Sequence, residues 1–232
     1  QGGGGAGGFR DRIEIEEVAS IDWSEIFKTR LNKYSRDKST RIPYHKKFVN
    51  NPMLRNRIGS KVRKKDTLPE TNIVIDTSSS ISYKEAELIL SEVQGAIVAA
   101  KISKVNILLW HEDAYHTNSY TNVDDDSFEE IIEDIYDHWR GGGNNVHNVY
   151  KKMIELEWTQ KFTIHLTDGY IRSHNGTDQK TFDLAMEALD PKNTVWGIII
   201  PNRSISSGFW ETMQNSFFGE VVPIFLDMDK FR

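Results

Sequence analysis

Two short stretches place hard oxygen donors where a cation could take them. Asp76-Thr77-Ser78-Ser79-Ser80 follows the apolar run Asn72-Ile73-Val74-Ile75. Thr167-Asp168-Gly169 follows the run Phe162 to Leu166. Ser78 and Ser80 are two residues apart, so both hydroxyls can turn toward one point. If the two runs are neighbouring strands, Asp76 and Asp168 leave the sheet side by side. Carboxylates so placed repel and raise each other's pKa unless a cation lies between them. Mg2+ suits such a set, because it takes oxygen ligands, few carboxylates and several waters. A third stretch, Gly141-Gly142-Gly143-Asn144-Asn145, separates two helical patterns. Taken alone, D-x-S-x-S is common, and Asp76 or Ser78 capping a helix would account for it. Its place after a buried strand, with Thr-Asp-Gly after another, is far more specific.

Other chemistries find less support. The chain has no Cys, which excludes a disulfide scaffold, a thiolate zinc site and a Cys nucleophile. No G-x-S-x-G, Walker A or G-x-G-x-x-G stretch occurs. His111-Glu112-Asp113-Ala114-Tyr115-His116 has its two His five apart, whereas the zincin pattern needs i and i+4 on one helix. The remaining His are scattered and read as solvent or core residues. Asp124 to Asp137 holds eight acids and no base, most simply a solvated helix face.

The elements that must position these loops alternate. Strands are expected at 72–75, 105–110, 114–121 (an edge), 162–166, 194–200 and 221–225. Helices are expected at 21–34, 81–101, 128–139, 146–154, 181–189 and 209–217, from apolar residues at helical spacing. Most strands are apolar on both faces, which implies a mainly parallel sheet covered on both sides. The expected fold is α/β, a doubly wound, Rossmann-like sheet, preceded by an N-terminal helix and an irregular basic arm. Ligands of such sheets sit beyond the carboxyl ends of the strands, at the switch in strand order. Three segments are expected: a Gly-rich linker and lead-in over 1–19, the helix and basic arm over 20–69, and the α/β domain over 70–232.

Asp76-x-Ser78-x-Ser80 closing the first strand, with Leu166-Thr167-Asp168-Gly169 downstream, resembles a von Willebrand factor A (VWA) domain. The resemblance spans about Thr71 to Phe225. That family's metal-ion-dependent adhesion site uses D-x-S-x-S, a Thr on a second loop and an Asp on a third. The resemblance implies that Ser78 and Ser80 bind Mg2+ or Mn2+ directly, while Asp76 and Asp168 act mostly through water. Asn144 stands where the family has Thr, and Ser79 where it usually has Gly. Asn144 is then either a ligand through its side-chain oxygen or a cap for the helix at Val146. The Trp23 helix, the arm, Val195-Trp196-Gly197 and Phe218-Gly219-Glu220-Val221-Val222 resemble a narrower bacterial and phage subfamily. Its members join a metallopeptidase-like domain to a C-terminal VWA domain and are associated with MoxR-type AAA+ ATPases.

Charge is unevenly spread. Lys28 to Lys65 holds fourteen Lys/Arg and one acid, Asp37, while the residues from Asp66 onward are strongly acidic. The arm is expected to pack on the body or on a neighbouring domain; a nucleic-acid-binding role through Lys61, Arg63, Lys64 and Lys65 is the weaker alternative. No apolar run nears the roughly 18–20 residues that span a bilayer, and a cytoplasmic location is expected. Residue 1 is Gln and no signal peptide follows, so the chain reads as a piece of a longer protein whose N-terminal part is a further partner. The function expected is non-enzymatic: a metal-dependent adaptor whose ion accepts a partner's Asp or Glu. A metal-assisted hydrolase is the enzyme alternative, and it lacks a general base beyond Asp76 and Asp168.

Overall fold

The computed structural model describes residues 21–27, 29, 70–100, 104–123, 125–169, 171, 178–200 and 220–225. The Gly-rich lead-in, the basic arm and the expected helix at 209–217 lie outside the described residues. A six-stranded sheet carries the fold. Its strands are β1 (Glu70–Asp76), β2 (Lys104–Trp110), β3 (Ala114–Thr121), β4 (Phe162–Thr167), β5 (Thr194–Ile200) and β6 (Glu220–Phe225). They lie in the order β3-β2-β1-β4-β5-β6. All neighbours are parallel except β2 and β3, which form an antiparallel pair at one edge. The chain first builds outward from β1 to β3, then crosses back to lay β4 on the other side of β1. That reversal sits between β1 and β4.

Among the described residues, four helices connect the strands: α1 (Tyr83–Ala100), α2 (Asp125–Asp137), α3 (Val146–Glu155) and α4 (Asp178–Ala188). Alternate residues of the central strands feed two separate cores. Ile73, Ile75, Ile107, Leu109, Ile164 and Leu166 pack with α1 and α2 residues such as Val93, Ile97, Ile131 and Ile135. Val74, Leu108, Trp110 and Trp196 pack on the other face with Val149, Tyr150 and Met153 of α3 and Ala185 of α4. Helices therefore cover both faces, and the doubly wound α/β expectation holds. His165 lies in β4, stacked on Trp196 at 4.2 Å between centroids, and burial pushes its pKa down to about 3. It is a neutral core ring.

Residues 23–27 are helical, and Asp22 caps their start by accepting from Glu25 N–H at 3.0 Å. This segment belongs to the first core: Trp23 and Phe27 are buried, and Phe27 packs on Phe162 with centroids 5.4 Å apart. Trp23 Nε1 donates to the buried Glu92 of α1 at 2.8 Å. A carboxylate is tolerated at such depth only with donors around it. No helix among the described residues is long and apolar enough to cross a membrane.

Trp23→Phe keeps most of the ring but removes the donor to Glu92. Denaturant unfolding is expected to show a loss of about 1–3 kcal/mol; unchanged stability would mean that the bond contributes nothing to docking this segment.

Candidate functional site

The carboxyl ends of β1 and β4 come together as the sheet order requires. Ile75 pairs with Leu166, so Asp76 stands level with Thr167 and next to Asp168. Asp76 is wholly buried and Asp168 is 4% exposed. Asp76 Oδ1 accepts from Ser78 N–H at 2.9 Å, and Oδ2 accepts from the Thr167 hydroxyl at 2.7 Å. Gly169, with φ 81°, turns the chain away after Asp168 and donates its N–H to Thr167 Oγ1 at 3.1 Å. A positive φ favours Gly at that position.

Ser78 Oγ and Ser80 Oγ share a hydrogen bond at 2.8 Å, which either hydroxyl can donate. Two oxygens each about 2.0–2.1 Å from Mg2+ and at right angles would be about 2.9 Å apart. The hydroxyl pair thus fits adjacent corners of an octahedron, and the neutral hydroxyls flanked by buried carboxylates fit a hard cation. Burial, and after it the negative charge of Asp168, pushes the Asp76 pKa up to about 7; the bonds from Thr167 and Ser78 only partly offset this. A divalent cation among these groups would reverse that balance, since it favours the ionised form.

The loop after α2 closes on this site. Ser79 N–H donates to Gly142 O at 2.9 Å. A Cβ at Gly141 would lie 2.9 Å from Ser79 Oγ, and one at Gly142 only 2.5 Å from the His111 ring. The bare backbone is what lets the loop slide between the two. A chain of hydrogen bonds ties the same parts together: Arg140 N–H donates to Tyr115 Oη at 3.2 Å, Tyr115 Oη meets Thr77 Oγ1 at 3.0 Å, and the Thr77 hydroxyl donates to Trp110 O at 2.9 Å.

Asn144 is 8% exposed, two residues beyond Gly142. The expected alternative that it caps α3 is corrected: the helix begins at Val146, so Asn145 takes the N-cap place, with φ −95° and ψ 92° and no side-chain cap bond. The Asn145 N–H is held instead by His111 O at 2.9 Å. Sequence reasoning missed Thr167 as a hydroxyl donor to Asp76, and His111 as the ring that needs Gly142 opposite it. For Thr167 the signal was its place one residue before Asp168. His111 carried none, because its contact with Gly142 spans thirty-one positions. His111 itself stacks on Tyr115 at 4.6 Å, while His116 turns to other partners.

Two outcomes follow from this geometry. Asp76 binds its proton more tightly folded than unfolded, so the stability it contributes is full below about pH 4 and lost as pH rises to about 7. A divalent cation needs the ionised form. The rise in melting temperature on adding Mg2+ is therefore expected to grow from pH 5.5 to pH 8 and to vanish in Asp76→Asn. Taking the difference with and without the ion cancels the opposite pH trend of His165. A gain independent of pH would contradict the assignment. Gly142→Ala should displace the loop from His111, lowering stability by about 1–3 kcal/mol and weakening Mg2+ binding by calorimetry; a variant equal to the parent in both would show that the close approach is dispensable.

No family model and no curated protein matches the sequence. Among solved structures, the chain is similar to one described as a von Willebrand factor type A from Catenulispora acidiphila, with a TM-score of 0.48 and 14% identity. The likeness covers 68% of this chain and 39% of that one.

Proposed function

We propose that the domain is a metal-dependent protein-binding module of the VWA type. Ser78 and Ser80 hold Mg2+ or Mn2+ through their hydroxyls, Asp76 and Asp168 hold it through water, and Asn144 contributes its side-chain oxygen. The observation that carries this reading is the pair of hydroxyl oxygens 2.8 Å apart beside a buried carboxylate. When bound, the ion supplies an electrophilic position that a partner's Asp or Glu can occupy. Its direct protein ligands are neutral, so positive charge remains for that carboxylate. The adaptor has no catalytic role: Asp76 and Asp168 are committed to the site, and neither is available as a general base. The resemblance of the Trp23 segment, the arm and the last strands suggests service to a MoxR-type AAA+ ATPase in the cytoplasm.

Titration calorimetry of the 232-residue chain with Mg2+ and Mn2+ tests the metal step, with Asp76→Ala as the non-binding variant. Asn144→Asp tests the role of that side chain. A new negative charge at a ligand position should tighten metal binding and weaken capture of the acidic partner, whereas Asn144→Thr should leave metal affinity within about tenfold, equivalent to about 1.4 kcal/mol. Metal affinity unchanged in both Asn144→Asp and Asn144→Ala would remove Asn144 from the ligand set. No heat with either ion at millimolar concentration would remove the function itself, and metal-dependent hydrolysis lost in Ser78→Ala would replace it with an enzyme.

A further inference from the structure

A second group of ligating side chains lies between β3 and the end of α2. His116 Nε2 is 2.9 Å from Asp134 Oδ2, and His138 Nδ1 is 3.1 Å from Asp134 Oδ1. One ring nitrogen from each His and one Asp134 oxygen all fall within 4.8 Å of one another. Asp134 and His138 are four residues apart, so the helical repeat sets them on one face. His116 comes to them from the neighbouring edge strand. The two imidazoles stack, with centroids 3.9 Å apart and planes 10° from parallel. Two further side chains orient the carboxylate: Tyr120 Oη donates to Asp134 Oδ2 at 2.6 Å, and Asn118 Nδ2 donates to the same oxygen at 3.2 Å.

We infer that His116, Asp134 and His138 form a binding site for a divalent transition ion of the zinc class, distinct from the oxygen-only loops at β1 and β4. Two imidazoles and a carboxylate are the donor set that zinc takes, and a set that Mg2+ does not favour. His116 sits on a strand, Asp134 on the last turn of α2 and His138 one residue beyond that helix; an imidazole ligates in its ring plane, so the two stacked rings turn apart when both take one ion. Tyr120 and Asn118 act as the outer hydrogen bonds that hold a ligating carboxylate in place. The side chains of His116 and Asp134 are 17% and 16% exposed, against 42% for His138, so the His138 side is where the ion enters and where water completes its shell. His138 Nδ1 also lies 2.8 Å from the Asp134 carbonyl oxygen. A carbonyl only accepts, so the proton there sits on Nδ1; binding the ion moves that proton or turns the ring. The ion ties the end of α2 to β3 three residues before Gly141, where the loop that meets Ser79 begins.

Zinc is titrated into the full chain in the presence of millimolar Mg2+, against a chromogenic chelator, and cobalt is used as a coloured substitute. The expected result is one zinc held at low micromolar concentration, with cobalt giving the visible absorption of a low-coordinate nitrogen and oxygen site. His116→Ala, Asp134→Asn and His138→Gln should each weaken binding at least about tenfold and remove the cobalt band. His138 is the most exposed of the three, so His138→Gln is expected to fold normally by circular dichroism and keeps the test valid if the others do not. Tyr120→Phe should weaken zinc by a smaller factor. Absence of binding, equal affinity in His138→Gln and the parent, or displacement of zinc by Mg2+ would each overturn the site.

Discussion

A carboxylate buried away from bulk solvent sets the terms for this domain. Asp76 ends a strand buried on both faces and stands beside a second acid, Asp168, with hydroxyl and amide donors but no cationic side chain bonded to it among the described residues. Left alone, the group resolves the conflict by keeping its proton to near-neutral pH. A divalent cation would resolve it differently, by neutralising the pair and taking the neighbouring hydroxyls as ligands. Much of the surrounding structure serves to hold those hydroxyls close together. Ser78 is fixed by its own N–H on Asp76 and Ser79 by Gly142, so Ser80 is delivered by a short turn in which Ile81 N–H donates to Ser78 O at 3.0 Å.

The sheet explains why the conflict arises at all. Reversal of the winding direction puts the carboxyl ends of β1 and β4 side by side. The second layer of support comes from the β2 end. His111 carries Gly142 against its ring and accepts Asn145 N–H at its carbonyl, while Tyr115 joins Thr77 to Arg140. The three loops at this end are therefore one hydrogen-bonded body. Movement of the Gly141–Gly143 loop would be felt at Ser79, and movement of α2's end would be felt at the loop.

Much of this was legible in the residue pattern. Apolar runs such as Ile73-Val74-Ile75 and Ile107-Leu108-Leu109 have no polar face, so they could only be strands inside a layered fold, and they stand where expected. The acidic and hydroxyl residues after them followed from that. Helix ends were less legible, because periodicity marks buried residues and not termini. Trp139 keeps the apolar rhythm of α2 and packs on the core after the helix has ended at Asp137. The start of α1 is set by a reciprocal pair: Ser82 N–H donates to Glu85 and Glu85 N–H to the Ser82 hydroxyl, a signal present in the sequence as Ser-x-x-Glu. Long-range pairings were not legible. His116 belongs with Asp134 and His138, not with His111, because strand alternation and helix repeat bring those three together only once β3 and α2 are packed.

The most direct test is a crystal structure grown with Mn2+, with anomalous data collected at the manganese edge. The account predicts one strong peak bonded to Ser78 Oγ and Ser80 Oγ, with Asp76 and Asp168 in its water shell. Full-occupancy manganese elsewhere and none between those two hydroxyls would contradict it.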